Sequence, residues 1–151
     1  MLSDDMSTTL YEIDFFAWAN EQARLLRAGK LSEADIGHIA EEIESMGKTE
    51  KRELVSRLKV LLLYLLKWQF QPEYRGKSWR LSIMEQRREV ARHLDDNLSL
   101  KARLTETMAD AYGDATIGAA RETDLELDVF PAACPWTFEQ IMAADFWPDA
   151  A

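Results

Sequence analysis

The stretch Leu31–Trp68, LSEADIGHIAEEIESMGKTEKRELVSRLKVLLLYLLKW, carries an apolar stripe that keeps its helical phase across a polar, glycine-containing interruption. At about 100° per residue, Ile36, Ile39, Ile43, Met46, Leu54, Leu58, Leu61, Leu65 and Trp68 fall on one side of a single cylinder. Gly47 and Glu50, two of the interrupting residues, point to that same side. A glycine inside a helix costs about 1 kcal/mol relative to alanine, which tertiary packing readily offsets. The segment either runs unbroken over about 32–69 or stops at Gly47 and restarts near Thr49. The preserved phase favours the continuous helix, with Ser32 and Asp35 as its capping pair. From Leu58 to Trp68 apolar residues occur all round, as in a helix buried on every side. Pro72 cannot continue the pattern, and Gln71 before it is biased towards extended geometry.

Other helices are legible on either side. Glu12 to Ala28 shows two adjacent apolar rows, and Gly29 stands where a left-handed residue ends a helix, with Leu31 as its capping contact. QPEYRGK (71–77) reads as a loop, after which Ser78 is the expected cap of a helix with Trp79, Ile83, Val90 and Leu94 inward. Ser99 is the expected cap of a fourth helix, whose Leu100, Leu104, Met108, Ala111, Ala115 and Ala119 form a row thinning to small residues suited to close helix packing. Leu125, Leu127 and Val129 alternate in an acidic stretch, read as an extended segment. A short helix is expected from Pro135 to Met142, and Phe146, Trp147 and Pro148 look like a terminal anchor. The expectation is a single all-α domain over 1–151. It is a bundle of four main helices around one long central helix, with an N-terminal tail (1–9) and a C-terminal strap (124–151).

Composition narrows the function classes. The 151 residues are 47% hydrophobic with few glycines and prolines, as long helices joined by short connections require. One cysteine leaves no internal disulfide and suits a reducing compartment. The N-terminus is acidic without an apolar core, unlike a secretory signal. The longest apolar run, Val60–Leu66, is far short of the roughly 20 residues that cross a bilayer. A cytoplasmic protein without membrane contact is expected.

The net charge of −9 disfavours wholesale attraction to nucleic acid, but it is unevenly spread. Residues 1–50 hold 11 acids and 4 bases (−7), residues 51–103 hold 6 acids and 13 bases (+7), and residues 104–151 hold 10 acids and 1 base (−9). A cationic middle between anionic flanks predicts charge pairing inside the bundle, or else a basic groove for an anionic partner.

Few residues carry chemistry. Glu41, Glu42 and Glu44 cluster in AEEIE, with His38 one turn before Glu41 and Glu42, a spacing that a metal ion can bridge. Di-iron bundles use the order Glu-x-x-His. Here the order is reversed, and His93 follows Glu89 by four, so no metal is expected. Lys67 lies within an apolar turn and must snorkel out or pair with a carboxylate such as Glu42, Glu44 or Glu85. Bases and aromatics interleave from Trp68 to Arg92, and Arg75, Lys77, Arg80, Arg87, Arg88 and Arg92 are the residues that would meet nucleic acid. Gly47-Lys48-Thr49 resembles the end of a P-loop, but Glu42 stands where its first glycine belongs. Cys134 has no histidine near it in sequence to activate it. No cofactor is expected.

Together YEIDFFAW (11–18), AEEIESMGKTEKRELVSRL (40–58), LLKWQFQP (65–72), SWRLSIMEQR (78–87), FPAACPW (130–136) and DFWP (145–148) resemble a bacterial family, the domain-of-unknown-function family numbered 29. The resemblance covers nearly the whole chain. It implies a small all-helical domain, usually standing alone, and no activity or catalytic set. Members often carry histidine where this chain has Tyr64; were that histidine a metal ligand or base in them, the tyrosine would weaken an enzymatic reading here. The functional expectation is a non-enzymatic helical module that binds another protein or itself. The alternative is a nucleic-acid-acting protein, such as a metal-dependent nuclease-like enzyme, using Glu41, Glu44, Lys67, Glu85 and Arg87.

Overall fold

The computed structural model describes residues 10–151; the tail expected over 1–9 lies outside the described residues. After a helical turn at 10–13, helix α1 spans Phe15–Arg27, α2 Ile36–Phe70, α3 Lys77–Asp96, α4 Leu104–Glu122 and α5 Phe138–Met142. Short 3-10 turns lie at Leu31–Glu33, Pro72–Tyr74, Leu98–Arg103 and Leu127–Val129. No strand occurs among the described residues, and none of their helices is long and apolar enough to cross a membrane.

Helix α2 is continuous through Gly47 for 35 residues, the alternative that its preserved phase favours. It starts later than Ser32 suggests, because Asp35 does the capping. The Asp35 backbone N–H donates to Oε1 of Gln22 at 2.7 Å, while its carboxylate accepts from the His38 N–H at 3.4 Å and its carbonyl from the Ile39 N–H at 3.0 Å. Similar shifts occur elsewhere. Asp14 breaks the first helix and caps α1 by accepting from the Ala17 N–H. Gly76, not Ser78, stands at the cap of α3. Ser99 sits in a 3-10 turn, and α4 begins only at Leu104. Thr137 and Gln140 form a reciprocal capping box, so α5 begins at Phe138 and not at Pro135. Gly29 has φ +72°, and the Gly29 and Lys30 N–H groups reach Leu26 and Leu25, the Schellman ending expected of it. Leu31, the expected capping contact, stays exposed.

The chain divides into two compact units, residues 1–49 and 50–151, and α2 passes from one into the other. The second unit holds the large core. Leu54, Leu58, Leu61, Leu62, Leu63, Leu65 and Leu66 of α2 are buried with Ile83, Val90 and Leu94 of α3 and Met108, Ala111, Ala115 and Ala119 of α4. The small residues of α4 serve close approach: a Cβ added at Gly118 would stand 2.6 Å from Cδ1 of Leu63. Among its described residues, the first unit buries Trp18, Leu25 and Ala34.

Candidate functional site

In the first unit, the opening turns of α2 are clasped to the segment before them. Trp18 and Gln22 lie one turn apart on the buried row of α1, and both reach Asp35: Trp18 Nε1 donates to its carboxylate at 3.1 Å. His38 Nδ1 shares that carboxylate at 2.7 Å, and its ring stacks on Tyr11 with centroids 4.0 Å apart. Tyr11 donates its hydroxyl to Oε1 of Glu42, one turn further along.

The electrostatics follow from these bonds. The hydrogen bond to Glu42, burial and the nearby carboxylates of Glu42, Glu41 and Asp35 push the Tyr11 phenol up to about 12. Burial pushes the Asp35 carboxyl up, but hydrogen bonds from His38, Trp18 and the His38 backbone outweigh it and hold the group below its usual range. The Asp35 bond, despite desolvation, raises His38 above the usual imidazole value.

On the other side of the same helical segment, large apolar side chains are exposed. Ile36, Ile43 and Met46 are 53%, 62% and 67% exposed, although they continue the stripe that is fully buried at Leu54, Leu58 and Leu61. Ala40 and Gly47 lie beside them, and the space where a Gly47 Cβ would project is open. Glu41 and Glu44 are exposed and make no ion pair among the described residues. The sequence predicted a stripe facing a neighbour throughout; in its first half it faces solvent.

In the second unit, cations and aromatic rings fasten the C-terminal segment. Arg87 is 6% exposed and donates through Nε to the Ile141 carbonyl at 2.7 Å and through Nη2 to the Phe146 carbonyl at 2.6 Å. Arg75 donates through Nε to the Trp68 carbonyl at 2.6 Å and through Nη2 to the Pro148 carbonyl at 3.1 Å. Burial lowers the Arg87 pKa, partly countered by Asp145. Lys67 lies over Trp79 and Tyr64, at 4.8 and 5.0 Å, and pairs with Glu122 at 3.2 Å.

The family model described as "Domain of unknown function DUF29" matches residues 10–147. The chain belongs to the DUF29 family. No curated protein and no solved structure matches it.

The DUF29 motifs in this chain are largely used to build it. LLKWQFQP, SWRLSIMEQR and DFWP supply Trp68, Arg87, Phe146 and Trp147, which meet at the strap, and Lys67 and Trp79, which pack together. Of the nominated residues, Glu41 and Glu44 belong to the first unit, while Lys67, Glu85 and Arg87 belong to the second. Lys67 and Arg87 are buried and engaged as above; Glu85 is exposed with no ion pair among the described residues. The partner of Lys67 is Glu122, not Glu42, Glu44 or Glu85. His38 and Glu42 hold Asp35 and Tyr11, and among the described residues no group of three His, Cys, Asp or Glu is arranged to hold a metal ion. His93 reaches the Glu50 carbonyl at 2.7 Å, not Glu89. Burial pushes the Cys134 thiol up, away from the reactive thiolate.

Of the nucleic-acid candidates, Arg75 and Arg87 are spent on backbone carbonyls and Arg92 pairs with Glu89. Lys77, Arg80 and Arg88 are exposed and unpaired among the described residues. The predicted charge pairing inside the bundle is made by Lys51 with Glu106 and Lys67 with Glu122, but not by these three. Sequence reasoning nominated neither Tyr11 nor Gln22 and read Asp35 only as half of a capping pair with Ser32. The signal that could have found them is Asp35-x-x-His38 at a helix start, where a carboxylate caps the helix and meets the side chain one turn on.

Proposed function

We propose that this DUF29 chain is a non-enzymatic helical interaction module that binds protein through the first half of α2. One observation carries the reading: Ile36, Ile43 and Met46 stay exposed on a stripe whose continuation forms the core. A run of large apolar residues in water, beside small residues and flanked by the carboxylates of Glu42 and Glu44, fits a protein-binding surface. The positively charged side chains an enzyme would need, Lys67 and Arg87, already have structural partners. The nucleic-acid alternative retains Lys77, Arg80 and Arg88 but loses Arg75 and Arg87.

The test is capture from native cells with tagged wild type and with Ile43→Asp/Met46→Asp. Both positions are exposed, so the double variant keeps its helix content by circular dichroism. A stoichiometric protein, either a different chain or the untagged same chain, should be retained by wild type and lost with the variant. Equal retention by both defeats the reading.

A further inference from the structure

Building on that reading, we infer that the partner is a second copy of this chain, which lays the outer face of its α3 on the exposed stripe of α2. The two faces complement one another. On α2, Ile36, Ile39, Ile43 and Met46 recur at intervals of three and four, the spacing of a helix–helix seam. Ala40 and Gly47 beside them let another helix come close. The carboxylates of Glu42 and Glu44 lie on either side of this seam at helical spacing, Glu42 on the side clasped by Tyr11.

On α3, the inward row is Ile83, Arg87, Val90 and Leu94. The opposite side presents Leu81 and Met84, 48% and 49% exposed, and continues through Arg88 and Ala91 with the same three-and-four spacing. Lys77, Arg80 and Arg88 surround the two apolar residues, and Glu85 is the one exposed acid over residues 77–88. One face is apolar with an acidic rim and the other apolar with a basic rim. Both belong to the same chain, and among the described residues neither rim is neutralised by ion pairs, although Glu42 accepts the Tyr11 hydroxyl. Two identical acidic stripes would repel each other; an acidic stripe against a basic face attracts. Methionine on each side, Met46 and Met84, adapts to an imperfect seam. The contact is heterologous, so each copy offers two different surfaces.

Because the surfaces differ, the test can separate them. Sedimentation equilibrium of the full chain, up to roughly 100 μM, a concentration that reveals micromolar association, should give at least twice the mass of one chain. Ile43→Asp/Met46→Asp alone and Leu81→Asp/Met84→Asp alone should each lower the average mass. Mixed in equal amounts, they should recover a two-chain particle, since each supplies the face that the other lacks. Wild type at the mass of one chain overturns the inference, as does an α3 variant that associates like wild type or a mixture that recovers nothing. It is equally overturned if wild type stays single and instead holds a fluorescent oligonucleotide that Arg80→Glu/Arg88→Glu releases. If wild type is single but Ile43→Asp/Met46→Asp loses capture of a different protein, only the second-copy assignment falls. If nothing is captured through the stripe at all, the interaction reading falls with it.

Discussion

The rings of Trp68 and Trp147 pack with their centroids 4.9 Å apart, and each carries a guanidinium: Arg75 lies over Trp68 at 5.1 Å and Arg87 over Trp147 at 5.2 Å. The same two arginines hold the carbonyls of Ile141, Phe146 and Pro148. A segment with little regular structure is thus held by three arginine hydrogen bonds and the Trp68–Trp147 ring pair, with Arg75 itself anchored on the Trp68 carbonyl. The strap completes the second unit: Ile141 and Phe130 belong to its core.

Removing one ring or one fork should therefore loosen the strap before the helices. Trp147→Ala is expected to destabilise the chain by about 2–4 kcal/mol, at the low end for a half-buried ring. Arg87→Lys cannot reproduce the fork and leaves a buried carbonyl unpaired, costing about 1–3 kcal/mol. Urea unfolding gives the loss, and hydrogen exchange should rise first over residues 138–148. Uniform exchange across α2 and the strap would contradict this order.

The pH dependence of the first unit follows from Asp35 and His38. His38 is raised, so its contribution is complete below the ordinary imidazole value and fades as pH climbs through the folded pKa. Asp35 is lowered, so its contribution is complete above the ordinary carboxylate value and fades as pH falls through its folded pKa. The clasp should be firmest between those ordinary values, about pH 4 to 6.5. Hydrogen exchange of the Asp35–Ile39 amides across pH measures it, and Asp35→Asn should flatten the profile. Tyr11 should titrate near 12 by its ultraviolet absorbance, and Glu42→Gln should bring it back towards 10.

Two glycines should respond in opposite directions to the same substitution. Gly29 holds φ +72°, where a side chain strains the backbone, so Gly29→Ala should cost about 1–2 kcal/mol. Gly47 is helical with open space beside it, so Gly47→Ala should stabilise the isolated chain by about 0.5–1 kcal/mol. If another helix packs on this stripe, the same alanine should weaken association while raising thermal stability. Calorimetry and sedimentation read the two effects separately.

How far the fold was legible depended on whether a local rule met competition from tertiary contacts. Periodicity favoured the unbroken α2 over a stop at Gly47, since a helical glycine costs only about 1 kcal/mol, and the helix is continuous. The Gly29 ending followed from a backbone rule that only glycine satisfies cheaply. Caps at Ser32, Ser78, Ser99 and Pro135 misplaced the helix starts, since the choice among nearby capping residues was made by contacts such as Gln22 with Asp35. Burial of Lys67 was legible in its apolar neighbours, but Glu122, 55 residues away, was not. Periodicity marks an apolar stripe without saying how much of it is covered, which is why exposure of Ile36, Ile43 and Met46 needed coordinates.

Lys67 and Glu122 should show the asymmetry of a buried charge with a half-exposed partner. The side chain of Lys67 is 10% exposed and that of Glu122 47%. Glu122→Ala leaves an ammonium among apolar neighbours with only the rings of Tyr64 and Trp79 and the little water that reaches it. That loss should destabilise the chain by about 1–3 kcal/mol, less than for a fully buried pair because Glu122 is itself partly solvated. Lys67→Met keeps the length and apolar stem, removes the charge that needs a partner, and strands only a carboxylate that water can reach. Its effect should lie within about 1 kcal/mol of neutral. The double variant Lys67→Met/Glu122→Ala should then sit close to Lys67→Met alone, because the carboxylate has lost its role once the ammonium is gone. A denaturant series on the four proteins decides it. If Lys67→Met proves the more damaging of the two single changes, the lysine is held by its rings more than by its carboxylate, and the pair is not what anchors it.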